Sequence, residues 1–111
     1  MKLLPAALRK QLPPIYANEG VDDPLTFAHF YLSYSDREWY AMEFDGEDTF
    51  RGLIWGDDRV ELAQFDLSDI RRSRDILGLP AERDLDFVPA PLSKIIAEYK
   101  ETYPEGEVWV D

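Results

Sequence analysis

Between residues 25 and 66 the chain alternates strand-like segments with tight turns, and this constrains the fold more than any other feature. Leu25 to Tyr34 is aromatic-rich, carrying Phe27, Phe30, Tyr31 and Tyr34, and Ser35-Asp36 signals a turn. Glu38 to Phe44 alternates, with Tyr40, Met42 and Phe44 on one face. Asp45-Gly46 is a strong hairpin signal, and Glu47-Asp48 completes that loop. Thr49 to Trp55 reads as a third strand, Gly56-Asp57-Asp58 as the next turn, and Arg59 to Phe65 as a fourth strand. Strands joined this tightly form an antiparallel meander. Such a sheet keeps one face wet and needs helices on the other.

The flanking sequence supplies the helices. Leu4, Leu8 and Leu12 recur at helical spacing after Pro5, and Pro13-Pro14 ends the segment. Asp66 or Ser68 can cap a helix through Ile70 to about Ile76, with Gly78 placed for a left-handed terminus and Pro80 after it. Residues 81 to 90 read as a charged linker with a short extended piece, Leu85 to Val88. Pro91 opens the clearest helix, in which Leu92, Ile95, Ile96, Tyr99 and Tyr103 share a face. The tail from Glu107 is either a last edge strand or frayed. The expectation is one α+β domain over residues 1–111. It comprises an antiparallel meander of four or five strands (sheet 25–66) with two or three helices (5–12, about 67–77 and 91–103) packed on one face. At 111 residues there is room for one modest core.

Charge narrows the function classes. Twelve Lys+Arg against 23 Asp+Glu give a net charge of −11. Nucleic-acid binding needs cations to neutralise phosphates, and anionic membranes repel such a chain, so neither is expected as a partner. A basic protein partner, including one that itself binds nucleic acid, is favoured in encounter rate. The absence of cysteine excludes disulfides, thiolate metal sites and cysteine nucleophiles. The apolar opening Leu3-Leu4 is broken by Pro5 and ends before Arg9, too short for a signal peptide, and no window is long enough to span a membrane. A cytoplasmic location is expected.

Five acidic turn residues stand out: Asp45, Glu47 and Asp48 in one turn, Asp57 and Asp58 in another. Oxygen ligands at this density suit Ca²⁺ or Mg²⁺. The twelve-residue calcium loop is absent, however, and the third strand holds the two turns roughly 25 Å apart at ~3.3 Å per residue. They are read as candidate partner-binding residues, with no metal expected. Arg71, Arg72 and Arg74 form the one basic cluster and, with Arg83, make a candidate anion site. His29 is the lone histidine, on the face of Phe27 and Tyr31; it is read as a sheet histidine, with a general base as the alternative. Alternation sends Glu43 to solvent. No nucleotide or serine-hydrolase motif occurs, so no catalytic residue or cofactor is implied. Trp39, Trp55 and Trp109, with six Tyr and six Phe, overfill one core face, leaving either second-face packing or an exposed interface patch.

Phe44-Asp45-Gly46-Glu47-Asp48-Thr49-Phe50, followed by Gly52-Leu53 and Gly56, resembles the domain-of-unknown-function family number 2958. So do Leu77-Gly78-Leu79-Pro80-Ala81-Glu82-Arg83-Asp84-Leu85, Pro91-Leu92-Ser93, the opening Met1-Lys2-Leu3-Leu4 and Leu12-Pro13-Pro14. The resemblance covers roughly residues 1 to 95. It implies a small protein, or a module of a larger one, of bacteria and their phages, plasmids and integrated elements, with no catalytic residues to carry over. The reading is a non-enzymatic protein-interaction module of unknown target. One form is a mobile-element accessory or counter-defence protein acting as an acidic, DNA-mimic-like inhibitor. The alternatives are a small metal-dependent hydrolase using the acidic turns, and an anion or small-ligand module centred on the arginines.

Overall fold

The computed structural model describes residues 2–110. In chain order the elements are α1 (Ala6–Gln11), β1 (Leu25–Thr26), β2 (Ala28–Tyr31), β3 (Glu38–Phe44), β4 (Thr49–Trp55), β5 (Arg59–Asp66), α2 (Leu67–Arg72), β6 (Glu82–Arg83), β7 (Ala90–Pro91), α3 (Leu92–Thr102) and β8 (Glu107–Trp109). The main sheet runs β6-β2-β3-β4-β5-β8, and β1 pairs separately with β7. The chain is α+β, and β2 to β5 are the antiparallel meander its turns specify. β8 settles the tail as an edge strand. It lies parallel to β5, which requires a crossover, and α3 lies in that crossover.

The helices divide between the two faces of the sheet, where one covered face was expected. One core joins Phe30, Trp39, Ala41, Phe44 and Phe50 to Leu4 and Leu12 flanking α1 and to Leu67 and Ile70 of α2. The other joins Tyr40, Leu53, Trp55 and Val60 to Ile95 and Tyr99 of α3. Trp39, Tyr40, Ala41 and Met42 follow one another without a polar residue, so β3 is apolar on both sides and is buried on both. The surplus aromatic rings thus cover the second face. Tyr16, Tyr34 and Trp109 stay exposed, Trp109 beneath the Arg59 guanidinium 3.9 Å from its ring centre.

A β-bulge lies between Ala41 and Glu43 in β3. The extra residue, Met42, breaks the two-residue alternation. Tyr40 and Phe44 therefore point to opposite faces, and Glu43 turns inward instead of to solvent. Its carboxylate is fully buried, and accepts Tyr16 N–H at 2.8 Å through Oε1 and Asn18 N–H at 2.9 Å through Oε2. Opposite the bulge, Gly52 faces Ala41, and a Cβ there would sit 2.0 Å from the Tyr40 carbonyl oxygen.

Two other boundaries move. α2 ends at Arg72, not near residue 77, because Asp75 claims the following backbone: its Oδ1 accepts Leu77 N–H and Leu79 N–H, both at 2.9 Å. Gly78 has the expected left-handed φ, 77°, but closes this loop rather than the helix. The extended piece expected at Leu85–Val88 is a turn held by Asp84, and the edge strand lies earlier, at Glu82–Arg83. At α3 the cap comes from far away in sequence: Asp23 accepts the N–H and hydroxyl of Ser93.

Candidate functional site

His29, on β2, lies between two carboxylates. Nδ1 is 3.1 Å from Asp84 Oδ2, and Nε2 is 2.5 Å from Glu38 Oε1. Tyr40 stacks flat on the imidazole, with centroids 4.4 Å apart and planes 1° apart, and Phe87 closes another side at 5.9 Å. Burial, then the charges of Glu38 and Glu98, push the Tyr40 phenol far above its ordinary range. Burial alone would raise Asp84, but hydrogen bonds from His29 and from the Asp86 N–H, with the His29 charge, bring it below the usual carboxylate value. Both ring nitrogens are engaged, so this arrangement leaves neither available to take a proton from a substrate. Its effect is mechanical: it clamps the segment after β6 onto β2, aided by Asp84 N–H to the His29 carbonyl at 2.9 Å.

The five acidic turn residues lie at the two ends of β4 and do different things. Asp45 Oδ1 accepts N–H groups of Glu47, Asp48 and Thr49 at 2.8, 2.9 and 3.0 Å, closing its own hairpin. Asp48 accepts the Ser68 N–H and hydroxyl at 2.9 and 2.6 Å, fixing the start of α2. Glu47 is exposed. At the other end Asp57 and Asp58 are exposed and gather with Glu107 around Tyr99. Burial, then these three charges, raise the Tyr99 phenol. No group of three or more His, Asp or Glu among the described residues has the geometry to hold a metal.

The four arginines do not converge. Arg71 lines a hollow of about 590 Å³ with Lys2, Leu79 and Glu82. Arg74 lines another, of about 410 Å³, with Asp57 and Asp58, and its guanidinium donates to the carbonyls of Arg71 and Ser73. Arg72 pairs with Asp69. Arg83 is on β6 beside Asp84, against α1 and the Leu85 turn.

What sequence reasoning did not single out is the exposed apolar surface of the segment from Asp75 to Pro89. It follows the open edge of the main sheet, where β6 pairs only with β2. Of the eleven exposed large hydrophobics among the described residues, five lie here: Ile76, Leu77, Leu79, Leu85 and Val88. Ile76 is 86% exposed and Val88 73%. The backbone beneath them is firmly held. Asp75 is buried and, besides Leu77 and Leu79, accepts Tyr34 N–H. Asp84 holds the second turn, and the half-buried Phe87 anchors it near His29 and Tyr40. The signal was present as Ile76-Leu77 before Gly78, aliphatic residues with no helix left to bury them.

A mixed six-stranded sheet with helices on both faces defines an α+β domain. The chain belongs to the family described as protein of unknown function (DUF2958), whose model matches residues 3–103 and so includes α3. No curated protein and no solved structure matches the chain. Among the described residues no helix is long and apolar enough to cross a membrane.

Proposed function

We propose that this chain is a non-enzymatic protein-interaction module that docks a basic partner protein along the edge from Asp75 to Pro89. The carrying observation is five exposed aliphatic side chains on two turns whose backbones are locked by Asp75 and Asp84. Apolar groups gathered on one edge mark interaction surfaces, and a preformed surface loses little entropy on binding. Burying each such side chain in a partner contributes about 1.5–3 kcal/mol before the cost of association. The net charge of −11 sets the partner's sign: its field steers a basic protein inward, and the aliphatic edge then holds it.

In this reading the protein works in the cytoplasm, as an accessory or counter-defence factor of a mobile element. The acidic, DNA-mimic-like form has narrower support. Asp45 and Asp48 hold the fold, which leaves Glu47 at one end of the sheet and Asp57 and Asp58 at the other.

The test is affinity capture from host lysate with wild type, the Ile76→Asp/Leu85→Asp variant, and an unrelated bait of equal size and charge. The reading expects a basic protein on wild type alone. Because the variant is more acidic, capture driven by charge would persist or strengthen on it. Equal capture by wild type and variant rejects the edge.

A further inference from the structure

A large hollow on the second face of the sheet shares no residue with the docking edge. It is a cleft of about 900 Å³, within the range of small-molecule sites. Its walls are the loop from Tyr16 to Pro24, the second face of the sheet at Met42, Arg51 and Leu62, and Leu92 with Val110. The loop is strained: Tyr16 and Asp23 have φ of 69° and 49°, and Tyr16 is too bulky to adopt that region without cost. The buried Glu43 carboxylate pins the loop by its two backbone hydrogen bonds, one of them to Tyr16 itself.

The polar groups in the cleft divide by whether they are matched. Glu43 holds two N–H groups, and Asp23 holds Ser93. Asp22 and Glu19 are exposed, where water and salt screen them. Two donors are unmatched. Asn18 Nδ2 is buried without a hydrogen-bond partner. Arg51, cross-strand neighbour of Glu43, forms no side-chain hydrogen bond or ion pair among the described residues. The buried Asn18 donor without an acceptor is costly, and the half-buried Arg51 lines the same cleft beside an apolar wall of Met42, Leu62, Leu92 and Val110.

We infer that this cleft binds a small organic carboxylate with an aliphatic body. The carboxylate accepts from the Arg51 guanidinium and the Asn18 amide, and the body lies on the apolar wall. The loop held by Glu43 forms the roof.

Sodium hexanoate and hexylammonium chloride are matched probes of opposite charge. Titrated into the isotope-labelled full chain and followed by NMR, hexanoate is expected to shift the Asn18 side-chain amide, Arg51 Nε–H and the Met42 and Leu62 methyls saturably. The expected Kd is about 1 mM, suited to a ligand so small. Hexylammonium is expected to bind at least about tenfold more weakly. Arg51→Gln should weaken hexanoate about tenfold, while Arg51→Lys keeps part of the affinity. Equal or tighter binding of hexylammonium would overturn the inference. So would shifts that do not saturate, shifts centred outside the cleft, or unchanged hexanoate affinity in Arg51→Gln.

Discussion

His29 and Asp84 are 55 residues apart in sequence and 3.1 Å apart in the fold, joined Nδ1 to Oδ2. This contact fixes the turn that displays Leu85 and Val88 to β2, the first strand of the meander. It also gives stability an acid limit. The Asp84 carboxyl titrates below its ordinary 3.8 in the folded protein, with the opposing effect of burial outweighed by its hydrogen bonds and the His29 charge. Its contribution is therefore complete above the unfolded value and is lost as pH falls through the lower folded value. Thermal melts between about pH 2 and 5 should fall less steeply for Asp84→Asn than for wild type. Part of the slope should remain, because Asp23 and Asp45 are also lowered by their hydrogen bonds.

Gly52 allows β3 and β4 to approach beside the bulge. A Cβ there would meet the Tyr40 carbonyl oxygen at 2.0 Å, and that backbone atom is held in the central ladder. Gly52→Ala should destabilise by about 3 kcal/mol or prevent folding, measured by urea denaturation. Gly46→Ala is the comparison, since nothing lies within 4 Å of its Cβ position and only its φ of 90° resists the change.

Glu43 ties the loop over the cleft. Glu43→Ala leaves the Tyr16 and Asn18 N–H groups without their acceptor, at a cost of about 2–4 kcal/mol. Hydrogen exchange should show the effect locally, with faster exchange at residues 16–23 and little change in β4 and β5.

The docking edge carries little of the fold's own stability. Ile76→Ser and Leu85→Ser remove side chains that are 86% and 65% exposed, so each should change unfolding free energy by no more than about 0.5 kcal/mol. A loss of several kcal/mol would mean these residues pack within the monomer.

The local turn chemistry was legible in the sequence. Asp45-Gly46 makes its hairpin, Pro91 precedes the last helix, and the meander follows from turn spacing alone. What alternation misread was one inserted residue. Met42 bulges, so Glu43, counted as outward, became the buried anchor of a loop 25 to 27 residues away. Nothing local marks Asp75, one residue after Arg74 in sequence, as the carboxylate that organises the loop ending that helix. The His29–Asp84 contact has no local pattern at all, since only the pairing of β6 with β2 brings the two together.

Site-specific photocrosslinking in the host tests the central claim most directly. A photoreactive residue is placed at 76, at 85, or at the control position 108 on the opposite edge strand, β8. The account predicts an adduct with the same basic protein from 76 and 85 and none from 108. Adducts from 108 alone, or equal adducts from all three positions, would contradict it.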